Sequence, residues 1–229
     1  MKTVGIIGGL GPKTTAEFYI GLISECYNKN KERRPPILIW NVPINYTEES
    51  NFLKFGTGKE KYLPYLIEAA RHLEKGGADF IVIPCNSVHI FINEIRESVK
   101  IPLFSIVEET IKFLKDKKIE QVGMLATSTT LNMKLYENGL VREGIRQISP
   151  TKAQQWNLNL LINNLVLGTK TENDKKTLNE IIDSFADKSI SDVLLACTDL
   201  QLIVKDHPKL KVHDTMTILM KATVKEILS

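Results

Sequence analysis

An α/β fold of parallel sheets, arranged as two similar lobes around a shared cleft, is what this 229-residue sequence predicts. The first observation is alternation: short apolar runs rich in β-branched residues take turns with stretches whose apolar residues recur at helical spacing. Runs apolar on both sides suit strands covered on both faces, as in parallel sheets. The second is a strand-to-helix unit that occurs twice, each time delivering a cysteine, at Cys85 and at Cys197. The third is that the chain starts again halfway. Gln121 to Thr127 echoes Thr3 to Gly9, the Cys197 unit echoes the Cys85 unit, and Lys211-Val212-His213-Asp214 echoes Pro102-Leu103-Phe104-Ser105. Three matches in the same order indicate an internal duplication.

Taken in order, Thr3 to Ile7 reads as a strand, and Gly8-Gly9-Leu10-Gly11-Pro12 as a turn whose glycines let the backbone approach a ligand. Thr14 or Thr15 is expected to cap the helix through Phe18, Leu22 and Ile23. The turn is not a nucleotide fingerprint: G-x-G-x-x-G begun at Gly9 fails at Thr14, and a P-loop needs glycine where Pro12 precedes Lys13. Cys26 on this helix reads as a core cysteine. Pro35-Pro36 ends a loop before a strand over Ile37 to Val42. Pro43 to Gly58, polar and without clear period, is expected to be a long active-site loop. Pro64 to Lys75 is an amphipathic helix closed by Gly76-Gly77.

The Cys85 unit is the centre of the reading. Phe80 to Ile83 is a buried strand, Pro84 stops its ladder, and Asn86 and Ser87 are N-capping types ahead of Ile90, Phe91, Ile95 and Val99. Cys85 therefore lies at the carboxyl end of a strand and the amino end of a helix, where open α/β sheets bind ligands and free N–H groups favour an anion. Ser191 to Leu200 has the same grammar, with Cys197 followed by Thr198 and Asp199. A strand over Pro102 to Ile106 and a helix through Val107, Thr110, Ile111 and Leu114 follow the first unit.

Two lobes facing each other present equivalent groups to opposite sides of a small substrate. Inversion at carbon matches that arrangement: one thiolate removes a proton from one face and the opposite thiol supplies one to the other. Cysteine, with an ordinary pKa of about 8.5, needs little tuning for this work. A helix amino terminus adds about 0.3–1 kcal/mol, up to ~2 when partly buried. The larger contribution has to come from donors around the substrate carboxylate as it turns enediolate-like. Gly9, Asn86, Ser87, Thr127 and Thr198 stand at strand ends where such donors belong, with Leu10 and Thr129 beside them.

Gly-Gly-Leu-Gly-Pro at residues 8–12, Pro-Cys-Asn-Ser-Val-His at 84–89 and Ala-Cys-Thr-Asp-Leu at 196–200 resemble the three signatures of the aspartate/glutamate racemase superfamily. The resemblance spans nearly the whole chain. It implies two pseudo-symmetric Rossmann-like lobes, cofactor-independent two-base racemisation with Cys85 and Cys197 as the acid/base pair, and a homodimer. It also implies that the last strand and helix complete the amino-terminal lobe, so that residues 1–100 with 210–229 form one lobe and 101–209 the other. Family members commonly carry methionine where Leu10 stands, threonine at Ser87 and glutamate at Asp199. Archaeal-type aspartate racemases use an arginine after the second strand and a later lysine for the substrate carboxylates, whereas Asn41 to Phe55 has no arginine and Leu161 to Gly168 no lysine. Lys54, Lys152 or Lys170 are the available replacements. The implied substrate is a small acidic amino acid or dicarboxylate, aspartate or glutamate by default.

Composition narrows the alternatives. A net charge of +3 and the mixed cluster Lys29-Asn30-Lys31-Glu32-Arg33-Arg34 indicate a solvated loop, not a nucleic-acid surface. No apolar run approaches the ~18 residues of a membrane span, and the glycine-broken amino terminus does not read as a signal peptide. Three cysteines argue against a disulfide scaffold and for a reducing cytoplasm. Two distant cysteines without close-spaced partners do not make a zinc site. Other readings are a hydantoin racemase, a maleate isomerase, a thiol hydrolase pairing Cys85 with His89, and a non-catalytic dicarboxylate-binding protein. His213, next to Asp214 at a strand end, is expected either to border the cleft or to be structural. His72 and His207 read as surface histidines.

Overall fold

The computed structural model describes residues 1–229 except Gly56, with side-chain surroundings for all but residues 53–56 and 59. Its first half runs β1 (Val4–Gly8), α1 (Pro12–Lys29), β2 (Ile37–Asn41), α2 (Tyr46–Phe55), α3 (Tyr62–Lys75), β3 (Phe80–Val82), α4 (Ile92–Glu97), β4 (Leu103–Phe104) and α5 (Ile106–Asp116). The second half runs β5 (Gln121–Leu125), α6 (Ser128–Asn132), α7 (Glu137–Arg142), β6 (Arg146–Ile148), α8 (Lys152–Val166), α9 (Glu172–Ala186), β7 (Asp192–Leu195), β8 (Lys211–Asp214) and α10 (Thr215–Ile227). Among the described residues, no helix is long and apolar enough to cross a membrane.

The strands form two four-stranded sheets, ordered β2-β1-β3-β4 and β6-β5-β7-β8, and every pairing is parallel. The same order twice is the architectural form of the repeat read from the sequence. Strand alternation divides the core. Val4, Ile6, Phe80 and Val82 share one apolar cluster with Val122, Met124 and Leu194 of the other sheet, filled in by Phe18 and Leu22 of α1, Leu114 of α5 and Leu219 of α10. Their outward neighbours Ile7, Ile81 and Ile83 pack under Leu66, Leu73 and Ile95, and Leu125, Val193 and Leu195 under Ile162, Leu178 and Phe185. With both faces covered, no polar alternation is expected along these strands.

Three sequence expectations are corrected here. The last strand does not return to the first sheet: β8 pairs with β7, register Leu195↔Asp214, while β4 pairs with β3, so each half of the chain completes its own sheet. What crosses over is helical, since α10 packs on both α1 and α5. Pro43 to Gly58 is not one irregular loop. The Asn45 side chain accepts from Thr47 N–H at 2.8 Å and from Glu48 N–H at 3.4 Å, and that turn starts α2. Thr14 and Thr15 do not cap α1. Pro12 takes the first helical position, where its missing N–H costs nothing, and both hydroxyls are free for other partners.

The two equivalent glycines of the repeat are places of close helix approach. A Cβ at Gly5 would lie 3.1 Å from the Leu73 Cβ, and one at Gly123 would lie 2.8 Å from the Phe185 ring. A ring edge held between α9 and the sheet has nowhere to go. Gly123→Ala is therefore expected to destabilise by about 1–3 kcal/mol, read by thermal denaturation as a melting temperature several degrees lower. An unchanged melting temperature would show that α9 yields.

Candidate active site

Cys85 follows β3 and precedes one turn of 3-10 helix at Ser87–Phe91. The side chains expected to cap that turn face elsewhere. Asn86 donates to the Thr215 hydroxyl at 3.0 Å and accepts from the Tyr136 hydroxyl, and the Ser87 hydroxyl lies 2.9 Å from that of Thr127. The N–H groups of Val88 and Ser87 are left to the Cys85 sulfur. Around Cys197 the arrangement repeats. Thr198 donates to the Pro84 carbonyl at 3.1 Å, the Asp199 carboxylate accepts from Thr14 at 2.6 Å, the Asp199 N–H turns to the Cys197 sulfur, and the Leu200 N–H is shared between that sulfur and the Cys197 carbonyl oxygen, 3.1 Å away. Each thiol thus faces the amides two and three residues ahead of it.

The two sulfurs meet in one nearly closed cavity of about 20 Å³, room for about one water, or about 390 Å³ with its mouth. Its wall combines Leu10, Gly11 and Asp199 with Cys85, Cys197 and Val166. Glu49, Phe52 and Tyr62 close it from α2 and α3. Helix α2 is held across the cleft: Ser50 donates to Asn163 at 2.9 Å, and Thr129 donates to the Phe52 carbonyl at 2.7 Å.

The electrostatics are unusual for an anion site. Burial pushes the Cys85 thiol up to about 12, and the charges of Asp199 and Glu49 push the same way, against the helix amides. Burial and Asp199 raise Cys197 well above its ordinary value. Burial lifts Asp199 to about 6, opposed by the Thr14 hydrogen bond, and burial together with Asp199 lifts Glu49 to about 7. The Tyr62 hydroxyl is buried and, among the described residues, has no hydrogen-bond partner.

Of the residues read as substrate-binding, Leu10, Asn86, Ser87 and Thr198 line the cavity; Gly9, Thr127 and Thr129 do not. The polar atoms of Asn86, Ser87, Thr127, Thr129 and Thr198 are spent largely on bonds that join the two halves of the chain. His89 does not face the Cys85 sulfur. Its Nδ1 lies 2.7 Å from the Cys85 carbonyl oxygen and its Nε2 accepts from Ile106 N–H at 3.1 Å, so both ring nitrogens are taken by main chain. Burial lowers its pKa to about 4. His213 is away from the cleft, its Nε2 2.8 Å from Asp192 at the start of β7, and the His207 side chain is almost wholly covered. The Lys54 side chain lies outside the described residues. Among the described residues, no group of three His, Cys, Asp or Glu side chains is placed to hold a metal ion.

Tyr62 and Val166 were not legible as site residues, and Glu49 and Phe52 only as members of the stretch 43–58 expected at the active site. Glu49 and Phe52 sit in the aperiodic stretch after β2, and Val166 ends an ordinary helix. Asp199 had a signal, its place beside Cys197, but read as a helix-start residue.

A family model described as Asp/Glu/Hydantoin racemase matches residues 7–223. The chain is 30% identical to the broad specificity amino-acid racemase RacX of Bacillus subtilis (strain 168), over 99% of this chain and 98% of that protein. Its fold is similar to that of a crystal structure described as a putative Asp/Glu racemase from Yersinia pestis, with TM-score 0.85, 24% identity and complete coverage of both chains. An aspartate racemase homologue from Pyrococcus horikoshii OT3 matches with TM-score 0.78 and 25% identity, again over both whole chains.

The raised Glu49 carboxyl makes a stability prediction. The unfolded chain releases this proton near the ordinary 4.5, the folded chain only near 7. The protonated folded form is thus fully favoured below about 4.5, and that contribution is lost as pH rises to about 7. Glu49→Gln cannot ionise. Its melting temperature is expected to match the parent near pH 4.5 and exceed it at pH 8, by on the order of 1–2 kcal/mol of stability. Equal curves at both pH values would place the carboxyl in water.

Proposed function

Since the chain belongs to the Asp/Glu/hydantoin racemase family, we propose that it inverts the α-carbon of an amino acid by cofactor-independent proton transfer between Cys85 and Cys197. The observation that carries this reading is the matched pair of thiols, each at the carboxyl end of the third strand of its sheet and each facing two helix amides, in one cavity.

One cysteine, as thiolate, takes the α-hydrogen as a proton. The C–H electron pair passes into the substrate carboxylate, which becomes enediolate-like, and the opposite thiol returns a proton to the other face. Thiol and thiolate have then exchanged places, and the reverse direction uses the same two groups. Such proton transfers contribute about 10²–10⁴-fold each. Burial and the neighbouring carboxylates favour the protonated form of both thiols. A substrate ammonium set against Asp199 offsets that field, so the thiolate forms with the substrate in place. A thiol hydrolase pairing Cys85 with His89 lacks support, because the His89 nitrogens are both engaged by backbone.

The test is α-proton exchange in deuterium oxide, read by proton NMR beside chiral chromatography of the products. The parent is expected to lose the α-proton signal and form the opposite enantiomer. Cys85→Ser and Cys197→Ser are each expected to lose racemisation by at least about 100-fold. Full racemisation in both directions by Cys197→Ser would sink the paired roles, and a lasting substrate–cysteine adduct would point instead to nucleophilic isomerisation.

A further inference from the structure

Any amino acid brings one carboxylate and one ammonium to this cavity; what differs is the side chain, and the described wall offers it no cation. Its charged members are the carboxyl groups of Asp199 and Glu49. They are not equivalent. Asp199 follows Cys197 by two residues, is held by Thr14, and its charge acts on both thiols. On the two-cysteine reading, that sets it beside the reacting carbon, against the substrate ammonium. Glu49 comes from α2, and of the two thiols its charge raises Cys85. It is only 6% exposed, lines the cavity, and among the described residues no hydrogen bond or ion pair reaches its carboxyl. Tyr62, next to it on the wall, has a buried hydroxyl equally without a partner. A buried hydroxyl left open like this is costly unless a ligand completes it.

We propose that Glu49, with the Tyr62 hydroxyl, selects an amino acid with a cationic side chain, an amine or a guanidinium, in place of aspartate or glutamate. The inference rests on the two-cysteine reading, which supplies the position of the reacting carbon. An ammonium or guanidinium has N–H donors for both the carboxylate and the hydroxyl oxygen. A second substrate carboxylate could accept from the Tyr62 O–H, but it would be buried beside two other carboxyl groups with no cation among the described residues of the wall to pair it, an arrangement that like charges disfavour.

Matched substrate pairs of similar size test this with the full-length protein, by α-proton exchange in deuterium oxide: L-lysine against L-norleucine, L-arginine against L-citrulline, L-glutamate against L-glutamine. Lysine and arginine are expected to exceed their neutral partners about 10- to 100-fold in kcat/KM, the range for a hydrogen bond to a charged group. Glutamate is expected to fall below glutamine. In Glu49→Gln the cation-to-neutral ratio is expected to shrink to within about threefold. Faster exchange with aspartate or glutamate than with lysine and arginine would overturn the inference and leave the racemase reading intact, as would an unaltered ratio in Glu49→Gln. Exchange with no amino acid would instead overturn the two-cysteine reading. Calorimetric binding of the same pairs then decides the selection: tighter lysine than norleucine sustains it, and equal affinity ends it.

Discussion

Everything in the cleft depends on two short helix starts that turn amides toward sulfur. In an ordinary helix the residue at the start folds its side chain back to satisfy the first free N–H groups. Asn86 and Asp199 occupy those places and do not, because Asn86 is tied to Thr215 and Tyr136 and Asp199 to Thr14. The uncapped amides point at Cys85 and Cys197. The same bonds that turn the caps aside also join the halves of the chain, so the positioning of the thiols and the docking of the lobes are one set of contacts.

The amides alone do not make these thiols acidic. A helix start is worth at most about 2 kcal/mol, and here it is opposed by burial and two carboxyl groups, leaving Cys85 near 12. Thiols in such a field stay protonated and unreactive toward stray electrophiles, since the thiolate is the nucleophile. Reactivity is then tied to a ligand that brings positive charge. The wall's other open groups, Glu49 and Tyr62, lie on helices that close the cavity, so side-chain recognition and closure also fall to the same elements.

The duplication explains the economy of the architecture. Two copies of one strand order present two carboxyl ends to each other, and the cluster that unites Val4, Phe80, Met124 and Leu194 needs α1, α5 and α10 between the sheets to fill it. Strand β8 stays with its own sheet, whereas α10 reaches α1 across the boundary. The lobes therefore share a core without sharing a sheet.

Much of this was legible in the residues alone. Doubly covered parallel strands follow from continuous β-branched runs, the duplication from three ordered echoes, and both cysteines from their place between a strand and a helix start. These are local or periodic signals, carried by neighbours in the chain. The partners of Asn86, Thr14 and Thr198 are not, since they lie 50 to 185 residues away, and whether a polar side chain caps its own helix or bonds across a cleft is decided by what packing brings beside it. Glu49 shows the same limit: in sequence it is one acid in a polar stretch, and only the packing of α2 over the cleft makes it a buried carboxyl group on the wall. The residues alone specify the sheets, the repeat and the place of each cysteine between a strand and a helix start. Tertiary structure decided which polar groups stay free for a substrate, because that depends on contacts between distant segments.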